Sequence, residues 1–129
     1  MKTIGIGVDI IDNRRIKTSI KNKNFLKRIF SYEELLKSKK ILNKTNYFAK
    51  RFAAKESLSK ALGTGFKGGL NFKDIQILNN KLGKPYYLLN KKLENFIKKK
   101  KKLKDFDLFL SISDENNYSV AFTIIQSKK

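Results

Sequence analysis

The segment that most constrains the fold is FAKRFAAKESLSKALGTG at residues 48–65, which has the length of a long helix and ends in a glycine turn. At about 100° per residue, small or apolar side chains fall on both sides of that helix: Ala49, Ala53, Ala54, Leu58, Ala61 and Leu62. Such a helix is buried on several sides. If Glu56 and Lys60 formed an exposed ion pair, it would stabilise the helix by only about 0.3–0.5 kcal/mol. In this apolar setting we expect them to line an enclosed cleft.

The composition allows one compact core. A chain of 129 residues, of which 40% are hydrophobic, predicts a single domain over residues 1–129. No apolar run approaches the roughly 18 residues that span a bilayer, so we expect no membrane segment. The first ten residues, MKTIGIGVDI, reach an aspartate before a signal-peptide core could form, which favours a cytoplasmic location.

The chain contains no cysteine and no histidine. These absences exclude a disulfide framework, thiol chemistry and a histidine general base, and they remove the commonest nitrogen ligand for zinc or copper. Any metal must then be bound by oxygen. That favours a hard cation such as Mg²⁺, held by one or two carboxylates together with water and substrate phosphates.

The net charge of +19 attracts polyanions. Nucleic acid, an anionic membrane surface, a phosphorylated small molecule and an acidic protein all fit, as does a solvated surface rich in lysine. The alternative function is therefore a small basic nucleic-acid-binding protein, which the five tyrosines and ten phenylalanines also allow. The aromatic signature of RNA-binding sheets is absent, and most aromatic residues occupy periodic apolar positions, as core residues do.

The N-terminal strand places a carboxylate beside two glycines. Residues 3–11 alternate, so that Asp9 shares one face with Gly5 and Gly7 while mainly branched aliphatic residues occupy the other. Because glycine weakens a strand interior, two glycines next to Asp9 indicate that another backbone or a ligand approaches closely. A bend near a sheet edge is the alternative explanation.

The remaining pattern predicts an α+β domain. We expect a basic helical segment with a polar break over residues 12–30, and a helix that begins at the capping box of Ser31 and Glu34. Further elements are predicted at residues 45–62 (helix), 74–78 and 86–88 (strands), 89–102 (basic helix), and 107–113 and 118–126 (a terminal hairpin). The order β-α-α-α-β-β-α-β-β describes an antiparallel sheet packed with helices.

Four segments resemble one enzyme family along nearly the whole chain. They are GIGVDIIDNRRI at residues 5–16, FAKRFAAKESLSKALGTG at 48–65, GLNFKDIQILNNKLGKPYY at 69–87 and LSISDENNYSVAFTII at 110–125. The chain resembles the holo-acyl-carrier-protein synthases, the short, single-domain, trimeric type of 4′-phosphopantetheinyl transferase. The resemblance implies that family's fold and a Mg²⁺-dependent transfer of 4′-phosphopantetheine from coenzyme A to a serine of apo acyl carrier protein. Adenosine 3′,5′-bisphosphate would be released.

By that resemblance, Asp9 and Glu56 bind the magnesium ion and Lys60 faces the phosphate. Glu56 would take the serine proton, directly or through a metal-bound water, and Lys60 would stabilise charge or protonate the leaving phosphate. Attack on a pyrophosphate depends on positioning and charge neutralisation more than on a covalent nucleophile, which suits a chain without histidine. Asp9, Glu56 and Lys60 are thus the predicted catalytic residues.

The resemblance also places residues at the coenzyme. The predicted coenzyme A contacts are Arg51, Lys55, Lys60, Gly63, Thr64, Gly65 and the G-K-P turn Gly83, Lys84 and Pro85. Taken alone, the glycine turn after Lys60 matches neither the P-loop nor the dinucleotide fingerprint. Asp114 stands where the family commonly carries a histidine that contacts phosphate. We expect lysines elsewhere to compensate, with weaker dependence on the 3′-phosphate of coenzyme A.

Acyl carrier proteins are small and acidic, so the resemblance implies that the positive charge of this chain serves to bind the carrier protein. The predicted docking residues are Arg15, Lys21, Lys23, Lys27 and Arg28. Members of the family are homotrimers with active sites between subunits, and the apolar outer faces of the C-terminal strands offer an interface. The residues do not separate an acyl carrier protein from a peptidyl or polyketide carrier domain.

Overall fold

The computed structural model describes residues 1–63, 65, 66 and 68–128. In chain order the elements are β1 (Lys2–Asp12), α1 (Asn13–Ser19), α2 (Lys23–Ile29), α3 (Tyr32–Ser38), α4 (Lys44–Leu62), a 3₁₀ helix (Phe72–Asp74), β2 (Gln76–Asn79), β3 (Pro85–Leu88), α5 (Lys91–Lys101), β4 (Phe106–Asp114) and β5 (Tyr118–Ser127). This order confirms the α+β prediction, with the basic segment after β1 divided into two short helices. None of the helices in the described part of the chain has both the length and the apolar character needed to cross a bilayer.

Helix α4 is the centre of the fold. It begins after Asn43, whose side chain accepts a hydrogen bond from the amide of Asn46, and it ends at Gly63, whose φ of 79° is left-handed. The helix is buried around most of its circumference, as its small and apolar side chains predict. Its first half packs with α1, α2 and α3 in one hydrophobic cluster. Its second half packs against the three-stranded antiparallel sheet β1-β5-β4.

The close approach predicted at the glycines of β1 is an approach of backbone to backbone. A Cβ atom on Gly5 would overlap the main-chain oxygen of Ala61, and one on Gly7 would overlap that of Ser57. Strand and helix therefore pack with no side chain between them at these points. This contact brings Asp9, on the same buried face of β1, against the second half of α4.

The opposite face of the sheet is apolar and exposed. Ile6, Val8 and Ile10 of β1 alternate with the buried residues and point away from α4. Val8 pairs with Phe122 of β5, and Phe109 of β4 extends the patch across the sheet. Among the described residues no element covers this face, and exposed apolar patches of this kind mark interaction surfaces.

The predicted antiparallel sheet is in fact two sheets, because β2 and β3 form a separate hairpin. Each of its strands has only four residues. The hydroxyl of Tyr87 in β3 donates to the main-chain oxygen of Ala54 in α4 at 2.6 Å. The hairpin is thereby attached to the helix by a side chain rather than to the larger sheet by main-chain pairing.

Candidate active site

The predicted catalytic residues lie together beside the contact of β1 with α4. The Nζ atom of Lys60 donates to Oδ1 of Asp9 at 2.8 Å, and this hydrogen bond raises the pKa of Lys60. The sequence did not indicate this pairing, which arises because the close contact of β1 with α4 places Asp9 beside Lys60. The Lys60 side chain is 54% exposed, so a ligand can still reach it.

Asp9 and Glu56 have the properties of carboxylates that share a cation. Asp9 is only 8% exposed, and its Oδ2 atom is buried without a hydrogen-bond partner among the described residues. A buried acceptor without a donor is costly, and a cation would satisfy it. Burial raises the pKa of Glu56, the negative charge of Asp9 raises it further, and Lys60 opposes both effects.

These two carboxylates fit Mg²⁺ better than a metal that needs a complete protein cage. The described residues contain no group of three or more histidine, cysteine, aspartate or glutamate side chains able to hold a metal. An ion at Asp9 and Glu56 would therefore need water or substrate oxygens as further ligands. Mg²⁺ is commonly bound in this way, by one or two carboxylates together with substrate phosphates.

A cavity of about 710 Å³ opens beside Glu56, a size within the usual range of ligand sites. Phe25, Phe52 and Phe72 form much of its wall, and Arg28 also lines it. Phe52 precedes Glu56 by one turn of α4, so the helix itself sets an aromatic ring beside the carboxylate. This apolar wall is the physical origin of the burial that raises the pKa of Glu56.

Lys55 does not contact the site, and its predicted role as a coenzyme ligand was wrong. Its side chain is fully buried on another side of α4 from Glu56. Its Nζ atom donates to Oε1 of Glu34 at 2.6 Å and to the main-chain oxygens of Phe72 and Ile75 at 2.9 and 2.5 Å. An ammonium group has three donors, so none is left for a ligand.

Arg51, Gly83 and Pro85 line a second pocket, of about 200 Å³. The guanidinium of Arg51 lies 3.7 Å from the centroid of the Tyr47 ring, and its Nη2 atom donates to Oδ1 of Asn79 at 2.9 Å. The Nδ2 atom of Asn79 in turn donates to the main-chain oxygen of Gly83 at 3.0 Å. The structure thus brings Arg51 and the G-K-P turn together, as their shared assignment to the coenzyme requires.

Asp114 lines this second pocket, and its negative charge is partly compensated within the chain. Its Oδ2 atom accepts a hydrogen bond from Nδ2 of Asn46 at 2.8 Å and lies 3.8 Å from Nζ of Lys50. Lys50 thus offsets part of the negative charge of Asp114. Lys84, the remaining member of the G-K-P turn, is exposed.

The glycine turn after α4 has the backbone expected of a helix stop. Gly63 and Gly65 have left-handed φ values of 79° and 68°. Thr64, predicted with them to border the coenzyme, lies outside the described residues. The phosphate-binding role of this turn stays a prediction.

The predicted docking residues form an exposed basic surface on α1, α2 and the turn between them. Arg28 also lines the cavity beside Glu56, and Arg15 lines a smaller one of about 140 Å³ with Phe25 and Phe52. A partner bound to this surface would therefore meet the entrance to the carboxylates. The role of these cations in docking stays a prediction.

Three contributors to these sites were missed from the sequence. The aromatic wall around Glu56 had a signal, because Phe52 lies one helical turn before that residue. Glu34 was identified only as part of a helix cap, and nothing local indicates that it also meets Lys55. The contact of Lys50 with Asp114 joins residues far apart in the chain and had no sequence signal.

A family model described as the 4′-phosphopantetheinyl transferase superfamily matches residues 5–123. The chain belongs to this family. It is 56% identical over 128 residues to the holo-[acyl-carrier-protein] synthase of Pelagibacter ubique (strain HTCC1062), a match that covers 99% of this chain and 100% of the relative. It is 40% identical over 136 residues to that of Wigglesworthia glossinidia brevipalpis, with 100% of this chain and 96% of the relative covered.

Solved structures of this superfamily share the fold. The holo-[acyl-carrier-protein] synthase of Neisseria meningitidis matches with a TM-score of 0.85 at 36% identity, covering 97% of this chain and 99% of that one. The holo-(acyl-carrier-protein) synthase of Bacillus anthracis, solved in complex with CoA (3′,5′-ADP), matches with a TM-score of 0.81 at 32% identity, covering 99% and 100%. The predicted family and fold are confirmed.

Proposed function

We propose that this protein is a holo-acyl-carrier-protein synthase that transfers 4′-phosphopantetheine from coenzyme A to a serine of apo acyl carrier protein. The observation that carries the proposal is the pairing of Asp9 with Lys60 next to Glu56 and its cavity, in a member of this family. Two carboxylates and a lysine supply the charges that a pyrophosphate transfer needs. A cytoplasmic location and a single catalytic domain over residues 1–129 are part of the same proposal.

In the transfer, the serine oxygen attacks the phosphorus that bears the pantetheine arm. The bond from that phosphorus to the bridging oxygen breaks, and adenosine 3′,5′-bisphosphate leaves with the electron pair. Glu56 accepts the serine proton, directly or through a water. Lys60 exchanges Asp9 for the leaving phosphate, where it stabilises charge or donates a proton.

Asp9 and Glu56 would hold Mg²⁺, which neutralises charge on the pyrophosphate when it is bound. The unpartnered Oδ2 atom of Asp9 and the all-oxygen donor set support this assignment. The cavity beside Glu56 would take the pantetheine arm, since its aromatic wall suits the apolar part of that group.

The nucleotide end of the coenzyme is assigned to the second pocket. Arg51, Gly83 and Pro85 line it, and it shares no lining residue with the cavity beside Glu56. This separation suits an active site built between subunits of a homotrimer, one supplying the carboxylates and its neighbour the nucleotide pocket. The exposed apolar face around Val8 supplies an interface. Light scattering should give the mass of three chains; a fully active monomer would contradict this arrangement.

The carrier protein is assigned to the basic surface on α1 and α2. Arg15 and Arg28, two of the predicted docking residues, line cavities, and rim charges of this kind mainly tune association rate and salt dependence. Reversing the charge of Arg15 should raise the KM for carrier protein and leave the KM for coenzyme A unchanged, whereas reversing Arg28, which also lines the cavity beside Glu56, should raise both. A rise in the coenzyme KM alone would contradict the assignment.

The deciding experiment is incubation with coenzyme A, Mg²⁺ and apo acyl carrier protein, followed by the mass of the carrier. A gain of one phosphopantetheine group that requires Mg²⁺ supports the proposal. The Glu56→Gln variant is the matched control, since it keeps the size of the side chain and removes its charge. No mass gain, together with tight and salt-sensitive RNA binding, would favour the nucleic-acid-binding alternative instead.

A further inference from the structure

The ion pair of Lys55 with Glu34 is unlike the other ion pairs of the described residues. Its side chains are 0% and 1% exposed, whereas in every other pair the cation is at least 34% exposed. Oε1 of Glu34 also accepts from the amide of Ser31 at 3.0 Å, and Oε2 accepts from the amide of Ile77 at 3.2 Å. The pair therefore joins the start of α3, the middle of α4 and the start of β2.

On one side, the pair fixes the wall that faces Glu56. Lys55 donates to the main-chain oxygen of Phe72, in the 3₁₀ helix that forms part of the cavity. The Phe72 ring lies 6.1 Å from that of Phe52, centroid to centroid. The width of the cavity next to the carboxylate therefore depends on where Lys55 holds this segment.

On the other side, the pair fixes the second pocket. The main-chain oxygen of Glu34 accepts from the Tyr47 hydroxyl at 2.6 Å, and the Tyr47 ring supports the guanidinium of Arg51. Oε2 of Glu34 holds the β2 strand that ends in Asn79, the residue bonded to both Arg51 and Gly83. The cavity beside Glu56 and the second pocket thus both connect to one buried pair.

Stability alone is a weak explanation for such a pair. Burial penalises both charges, and it lowers the pKa of Lys55 although Glu34 opposes that effect. Apolar residues of similar volume are often equally stabilising in place of a buried ion pair. What apolar residues cannot do is bond simultaneously to the two main-chain oxygens and two amides that the pair holds.

We propose that Lys55 and Glu34 form a positioning pair for the transfer reaction. The pair sets the cavity wall and the nucleotide pocket relative to Glu56 and touches no substrate itself. This inference rests on the proposed function and adds to it two residues that act through others. Removal of the pair should therefore change the KM for coenzyme A and leave the KM for carrier protein unchanged.

The principal test is the double variant Lys55→Met/Glu34→Gln, which removes both charges without leaving one buried alone. Since small displacements at distant residues are costly for catalysis, we expect the KM for coenzyme A to rise about ten- to hundred-fold. The affinity for adenosine 3′,5′-bisphosphate, measured by calorimetry, should fall in parallel. The KM for carrier protein should stay within about two-fold, because the basic surface on α1 and α2 is not bonded to the pair.

Thr123→Val is the matched control. Thr123 is as fully buried as Lys55, and its hydroxyl bonds to Ser57 of α4 and Tyr87 at 2.6 and 2.7 Å. It lines neither pocket. This variant should lower the melting temperature and leave both KM values unchanged.

Tyr47→Phe provides an answer even if the double variant does not fold. It keeps the ring under Arg51 and removes only the hydrogen bond to Glu34, so the coenzyme KM should rise about three-fold with the carrier KM unchanged. An unchanged coenzyme KM in this variant or in a folded double variant, or equal rises in both KM values, would overturn the positioning role. A wild-type protein that does not modify the carrier would instead overturn the proposed function.

Discussion

Two lysine–carboxylate pairs of helix α4 have opposite character, although their lysines lie only five residues apart. The open pair, Lys60 with Asp9, has side chains 54% and 10% exposed and leaves one carboxylate oxygen unpartnered. The closed pair, Lys55 with Glu34, is fully buried and has every ammonium donor in use. The two lysines differ because different elements of the fold face them. The glycine strand β1 supplies a nearly buried carboxylate to a half-exposed lysine, and the cap of α3 supplies a carboxylate to a lysine in the core.

The largest expected effect is on the open pair and its neighbour. Asp9→Asn and Glu56→Gln should each lower the transfer rate by about 10³-fold or more, because each removes a carboxylate that would hold Mg²⁺, and Glu56→Gln also removes the acceptor of the serine proton. The mass of the carrier protein over time measures this loss, and circular dichroism should show an unchanged fold. Retained Mg²⁺-dependent activity in either variant would refute the site assignment.

The second prediction contrasts the two lysines by stability. Lys55→Met leaves the Glu34 carboxylate buried and unpaired, so the free energy of unfolding should fall by about 3–5 kcal/mol. Lys60→Met removes a half-exposed cation but leaves the buried Asp9 carboxylate without its donor, so it should cost less, about 1–2 kcal/mol, while abolishing most activity. Urea unfolding of the two matched variants measures this directly. Similar losses of stability would show that the open and closed pairs do not differ as described.

The third prediction uses the raised pKa of Glu56, whose ordinary value is 4.5. A carboxyl with a raised folded-state pKa stabilises the protein below its ordinary pKa, and that contribution is lost as the pH rises through the raised value. As the pH rises from 4.5 through the raised pKa, the urea midpoint of the wild type should therefore fall relative to that of Glu56→Gln. In carbon NMR the Glu56 pKa should move down when Mg²⁺ is added. A value insensitive to Mg²⁺ would contradict its role as a ligand.

The carboxylates of the active site could be predicted from the sequence, but almost nothing of the closed pair could. Asp9 beside two glycines and Glu56 in an apolar helix are local patterns, each with a physical meaning before the fold is known. The contact of Lys55 with Glu34 depends instead on how α3 packs against α4, which no local pattern specifies. Lys55 was misassigned for this reason, because adjacency to Glu56 in sequence places it about 100° away around the helix.

A third pair, Lys50 with Asp114, is intermediate in exposure, at 35% and 31%, and gives the smallest expected effect. Because Asp114 occupies Lys50 and adds negative charge at the nucleotide pocket, removal of the 3′-phosphate from coenzyme A should cost less here than in a relative with histidine at this position. The ratio of kcat/KM for coenzyme A to that for 3′-dephospho-coenzyme A measures this cost.

Asp114→His should enlarge that ratio by freeing Lys50 and removing the repulsive carboxylate. Asp107→His is the matched control, since Asp107 lies on the same strand but pairs with Lys128, away from the nucleotide pocket. We expect this ratio to rise about three- to ten-fold in Asp114→His and to stay unchanged in Asp107→His. An effect of this size suits a partly exposed charge pair, because a buried pair would give a larger effect and a fully solvated pair a smaller one. Equal ratios in both variants would mean that the 3′-phosphate does not approach Asp114, and that the nucleotide pocket extends from Arg51 in another direction.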